Sequence, residues 1–226
     1  MERPRPMLAI TDMDGTLTNT EVVVENLGRA YDAQRLDPKP MFNMVKAYKL
    51  RGQSYNAWSD VLGFNNSNLT EAIKYSFLEA CEEDPIVYDD SYPYLNFMED
   101  RFISNLIMTN GYKDWQELKL EAAGLDQYPH LVIQDVSKGN VISSWRNSES
   151  GLFSPPEDII EISTPSVLLT EDKLSGTAGY PDDCPGYLVI RGADKANSIR
   201  IDELRPNIKV VRNFSEISDD IDRRFF

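Results

Sequence analysis

The sequence predicts an α/β fold, a parallel sheet core with an α-helical lobe inserted after the first strand. Two observations predict it. From residue 91 onward, short apolar runs alternate with segments of helical spacing. The long interval between the first and second apolar runs contains helical patterns and no strand. Right-handed crossovers then bring the loops after the strand C-termini to one edge, where ligands bind.

Met7 to Thr11 reads as a buried strand because its residues are nearly all apolar. Glu21 to Arg35 reads as a helix, since Val22, Val23, Asn26, Leu27, Ala30 and Tyr31 recur at three- and four-residue spacing. Pro38 and Pro40 break that pattern. A second helix over Met41 to Leu50 sets Met41, Met44, Val45 and Tyr48 on one side. Arg51-Gly52-Gln53 is a turn, and Ser54 is a candidate N-cap for a short helix through Leu62. Leu69 to Cys81 is a further helix, closed by the acidic run before Pro85. Ser91 to Asp100 is a short helix, and Ile103 to Met108 is the second strand, ending in Thr109-Asn110-Gly111. Tyr112 to Ala123 is helical and stops at Gly124. Leu131 to Gln134, Ser166 to Leu169, Tyr187 to Arg191 and Ile208 to Val211 complete the strands. The expected division is a core of residues 1–17 and 91–226 around a helical lobe of 18–90.

Composition narrows the function. Of 226 residues, 37 are acidic and 23 basic, a formal charge of −14, which opposes general binding to nucleic acid or to an anionic membrane. A single histidine, His130, argues against a histidine relay or a histidine-rich zinc site. Cys81 and Cys184 fit no metal spacing and read as reduced thiols. With no run of spanning length and no signal-type segment, the expectation is a cytoplasmic protein.

The chemistry gathers at Asp12-Met13-Asp14-Gly15-Thr16-Leu17. In an extended segment, side chains at i and i+2 share one side, so Asp12 and Asp14 can occupy one small space. Two carboxylates that close repel unless a cation lies between them, and a hard divalent ion such as Mg²⁺ suits oxygen donors. Gly15 lets the chain leave the strand sharply. A strand end with an ordinary Asx-type turn is the alternative reading of an isolated acidic pair.

This stretch resembles the first signature of the haloacid dehalogenase-like hydrolases, D-x-D-G-T-[LV], and matches it in full. The resemblance implies a Rossmann-like core, and the inserted lobe is similar to the helical cap of the beta-phosphoglucomutase-like phosphatases. It implies that Asp12 is the nucleophile and Asp14 the acid and base, with Asp12, Asp14, Glu171 and Asp172 as metal ligands for Mg²⁺. It further implies that Thr109, with Asn110 beside it, holds a phosphoryl oxygen. Lys138, after the third strand, would neutralise the nucleophile and the phosphate, with Arg146 and Lys173 as alternative cations. The family often has Lys-Pro where this chain has Lys138-Gly139, and a glycine where it has Glu171. Arg51, Gly52 and Ser54 resemble the cap's substrate-specificity loop. The implied activity is hydrolysis of a small phosphorylated metabolite through an aspartyl-phosphate. A sugar phosphomutase, or a catalytically weak binding protein of the same fold, is the alternative.

Overall fold

The computed structural model describes residues 7–51, 53–57, 67–134, 137–191 and 204–226. Its sheet has strands β1 (Met7–Thr11), β2 (Ser104–Asn110), β3 (His130–Ile133), β4 (Ser166–Glu171), β5 (Gly186–Val189) and β6 (Ile208–Val211). They lie in the order β3-β2-β1-β4-β5-β6, and all the pairings are parallel. From β1 the chain winds outward to β2 and β3, then returns to β4 on the other side of β1. The switch point therefore falls between β1 and β4, where a doubly wound sheet opens its ligand crevice. Thr11 stands level with Thr170, so Asp12 and Glu171 emerge side by side from neighbouring strands.

Every residue of β1 is buried, and successive side chains alternate between the two faces as the strand period requires. Met7 and Ala9 join the apolar cluster on one face, and Leu8 and Ile10 the cluster on the other. Helices α1 (Thr20–Ala33), α2 (Lys39–Leu50) and α3 (Ser67–Glu83) lie between β1 and β2, and α1 packs along α3. Val23, Leu27, Ile73 and Phe77 from this lobe share the first cluster with Met7, Ala9 and Ile107 of the sheet. Phe77 meets Trp115, with ring centroids 5.2 Å apart, so an aromatic contact ties lobe to core. The two chain crossings into the lobe are paired with each other. Asn19 N–H donates to the Ile86 carbonyl at 2.7 Å, and Tyr88 N–H to the Leu17 carbonyl at 3.0 Å.

Among the described residues the remaining helices are α4 (Ser91–Asp100), α5 (Lys113–Ala122), α6 (Lys138–Ser144) and α7 (Phe214–Phe225), with a 3₁₀ turn at Leu174–Thr177. One sequence reading is corrected, and two helices are added to it. Residues 53–56 carry no regular structure, so the helix expected from Ser54 does not start there, and 58–62 lie outside the described residues. Lys138 opens a short helix that the sequence pattern does not announce. The chain past β6 forms α7, capped by the Asn213 side chain, which accepts from Glu216 N–H. Among the described residues no helix is long and apolar enough to cross a membrane.

Candidate active site

Asp12 extends β1 by one bond, its N–H donating to the Thr170 carbonyl at 2.8 Å. Its carboxylate is buried and fully engaged. Oδ1 lies 2.8 Å from Lys138 Nζ, and Oδ2 accepts from Thr16 Oγ1 at 3.0 Å. Gly15 turns the chain at φ +87°, where a side chain would be strained, and a Cβ there would stand 2.4 Å from Asp172 Oδ2. Only glycine lets the loop after β1 and the loop after β4 approach this closely.

Lys138 reaches the same point from α6, bridging Asp12 and Glu171, whose Oε2 lies 2.7 Å from Nζ. Its helix lies against the backbone of residues 177–180, and a Cβ on Gly139 would come 2.4 Å from the Ala178 carbonyl oxygen. That contact accounts for glycine where Lys-Pro is common: a proline ring has no room. Burial works against the Lys138 charge, but Asp12 and Glu171 outweigh it and hold the ammonium well above the ordinary lysine range. Arg146, an alternative cation, pairs with Asp183 on the surface.

Asp12, Glu171 and Asp172 each offer a carboxylate oxygen within 4.8 Å of the others. Burial pushes the Glu171 carboxyl up to about 8, Asp12 and Asp172 push the same way, and Lys138 opposes them. A buried set of three carboxylates with one bridging lysine is short of positive charge, and its donors are hard oxygens. The set fits a hard divalent cation.

Asp14, expected in the same set, is not part of it. Its carboxylate is taken by Lys119, whose Nζ lies 2.6 Å from Oδ1 and also contacts Oδ2, and by Gln116 Nε2 at 3.2 Å from Oδ2. Burial works to raise the Asp14 carboxyl, but Lys119, with Lys173 and Gln116, holds it below its ordinary value. Gln116 also accepts from Thr109 Oγ1 at 3.2 Å and donates to the Asn110 carbonyl at 2.9 Å. One side chain thus ties the end of β2 to Asp14. Sequence reading missed Gln116 and Lys119, although Lys119 falls on the helical stripe of Trp115, Leu118 and Ala122, where a buried position is expected.

A cavity of about 660 Å³ opens over these groups, lined by Asp12, Asp14, Thr109, Asn110, Lys138 and Glu171, with Tyr48, Gln53 and Ser54 from the lobe. A second, of about 510 Å³, runs under the lobe past Asp14, lined by Glu21, Lys49, Tyr55, Trp115 and Lys119. Asp14, Gln53, Ser54, Asn110, Lys173 and Ser175 border both. Ser54 thus stands where the specificity loop was expected. Arg51 does not: it is the exposed C-cap of α2 and lines neither cavity. Gly52 lies outside the described residues. His130 bonds the Tyr128 carbonyl through Nδ1 at 3.0 Å and lines neither cavity.

No protein-family model matches the chain, and no curated protein matches it. Solved structures do. A Burkholderia xenovorans LB400 protein assigned as a haloacid dehalogenase-like hydrolase superposes with a TM-score of 0.64 at 16% identity, covering 96% of both chains. A Thermotoga maritima protein assigned as a beta-phosphoglucomutase gives 0.59 at 16% identity, over 97% of this chain and 100% of that one. A Bacillus subtilis protein assigned as a HAD-hydrolase, solved bound to magnesium, gives 0.55 at 14% identity, over 96% and 99%. These whole-chain superpositions agree: this chain has the fold of the haloacid dehalogenase-like hydrolases.

Proposed function

We propose that this protein is a Mg²⁺-dependent phosphatase that hydrolyses a small phosphate monoester through a phosphorylated Asp12. The observation that carries the reading is the state of Asp12. It is a buried carboxylate at the sheet's switch point, held by Lys138 and Thr16, facing a cavity that a second carboxylate, Asp14, also lines. The magnesium bound by the Bacillus subtilis structure of the same fold supports the choice of ion.

In this reading an Asp12 oxygen attacks phosphorus, and the new P–O bond forms as the ester P–O bond breaks. Asp14 delivers a proton to the departing oxygen, releasing the alcohol. A substrate bound as its monoanion brings that proton. Water then attacks phosphorus in the phosphorylated Asp12, Asp14 takes its proton, and inorganic phosphate leaves with the carboxylate restored. Lys138 offsets negative charge at Asp12 and the phosphoryl oxygens throughout. Thr109 and Asn110, at the end of β2, orient the phosphoryl group. Asp12, Glu171 and Asp172 would hold Mg²⁺, which would add to the neutralisation of phosphoryl charge. Residues 18–90 act as the cap, with Gln53 and Ser54 meeting the substrate and excluding water. A cytoplasmic setting suits Cys81 and Cys184, both buried free thiols.

The test is a panel of small phosphate monoesters assayed for released inorganic phosphate, with Mg²⁺ and with chelator. Turnover that requires Mg²⁺ supports the reading. Return of the phosphoryl group to a sugar, with no free phosphate, would make the protein a phosphomutase. No turnover on any ester would reject both.

A further inference from the structure

We infer that Lys119, seconded by Gln116, is a positioning residue that fixes Asp14 for the leaving-group oxygen and keeps it out of the Asp12–Glu171–Asp172 group. The inference rests on the phosphatase reading and assigns part of its chemistry to helix α5.

The geometry is specific. Lys119 spans from α5 to a loop 105 positions away in sequence, and its ammonium touches both oxygens of Asp14. Its side chain is 4% exposed and that of Asp14 20%, so the pair is shut off from water on the lysine side and open on the carboxylate side. The Lys119 ammonium also lies over the Trp115 ring, 5.5 Å from its centroid, in the wall of the cavity under the lobe. Two acidic side chains two residues apart, beside two further carboxylates, would otherwise compete for the same cation. Here each has its own lysine. Lys138 keeps Asp12 with Glu171, and Lys119 draws Asp14 toward the border between the two cavities. That border is where the leaving group would sit, between the phosphoryl site and the space under the cap.

A buried lysine is costly unless it is paired, so loss of either partner strands a charge. A purely structural pair would lower all activities alike. A positioning role gives a different signature, because proton delivery matters most when the departing oxygen is a poor leaving group. The comparison is of kcat/KM, which reports on steps up to departure of the alcohol and not on the later attack of water, for magnesium-dependent hydrolysis of para-nitrophenyl phosphate, a good leaving group, and phenyl phosphate, a poor one. The proteins are wild type, Asp14→Asn, Lys119→Met, Lys119→Arg and the Asp14→Asn/Lys119→Met double variant, each checked for folding by circular dichroism.

Lys119→Met should lose about 10²-fold on phenyl phosphate and much less on para-nitrophenyl phosphate. Lys119→Arg should recover part of the loss, and the double variant should be no worse than Asp14→Asn, since the two residues act as one unit. Equal losses on both esters, additive losses in the double variant, or no loss would overturn the inference while leaving the phosphatase reading intact. If Lys119→Met does not fold, Lys119→Gln, which removes the charge but keeps a polar end that can donate to Asp14, takes its place in the comparison: a loss confined to phenyl phosphate supports the inference, and equal losses or none overturn it. A wild-type protein inert toward both esters and the wider panel would overturn the phosphatase reading, and this inference with it.

Discussion

Glu171→Gln should make the metal-free protein more stable at alkaline pH. The carboxylate is buried against Asp12 and Asp172, and its attraction to Lys138 does not compensate, so its pKa moves from the ordinary value of 4.5 to about 8. An acid whose folded pKa is raised contributes stability that is fully present below its unfolded pKa and is lost as pH rises through the folded one. For Glu171 that window runs from about 4.5 to about 8. Ionising it in the folded protein costs on the order of 5 kcal/mol. The amide escapes this cost, keeps an oxygen for Lys138 Nζ, and gives up the bond that Oε1 accepts from Lys173 N–H at 3.3 Å. That loss is worth about 1 kcal/mol. The net expectation is a gain of roughly 3–4 kcal/mol at about pH 9 in chelator, shrinking to nothing or a slight loss at about pH 5. Urea unfolding of both proteins at the two pH values measures it. A variant less stable than wild type at about pH 9 would refute the reasoning, because the Lys138–Glu171 pair would then be a net stabiliser.

Four further outcomes follow from the site and its supports. Asp12→Asn should abolish turnover with the thermal midpoint kept or raised, since it removes one of the crowded carboxylates; kinetics and a melting curve check both. Gly15→Ala should cost about 1–2 kcal/mol of backbone strain and weaken Mg²⁺ binding in calorimetric titration, because the new methyl displaces Asp172. Phe77→Ala should cost about 3–5 kcal/mol in chemical unfolding, since a buried ring joining the lobe to helix α5 of the core is lost. Arg51→Ala should leave kcat/KM unchanged, as the side chain is exposed outside both cavities.

The sheet was legible because buried parallel strands read as apolar runs, and Met7–Thr11 and Ile208–Val211 fall where the sequence puts them. The acidic pair was legible because it is local: six adjacent residues carry it. Lys138 was found from the order of elements, although its helix was not. Seven residues containing glycine, asparagine and two serines show too little periodicity to read. Helix α7 did leave a signal, with Asn213 as cap, Glu216 three residues on, and Phe214, Ile217 and Ile221 on one stripe. Lys119 shows the limit most clearly. A lysine in an amphipathic helix normally covers its solvent face, and only the distant loop carrying Asp14 reveals why this one points inward. Arg51 is the converse, a cation of the expected specificity loop that the end of α2 turns outward while Gln53 and Ser54 face the chamber.

The central claim is that phosphorus passes through Asp12. Rapid acid quench during turnover of a phosphate monoester, followed by proteolysis and mass spectrometry, tests it most directly. One phosphoryl group is expected on the peptide carrying Asp12, removed by hydroxylamine as an acyl phosphate is, and absent from the Asp12→Asn variant. A phosphoryl group trapped on another side chain, or full turnover with none trapped on the protein and Asp12→Asn still active, would contradict it.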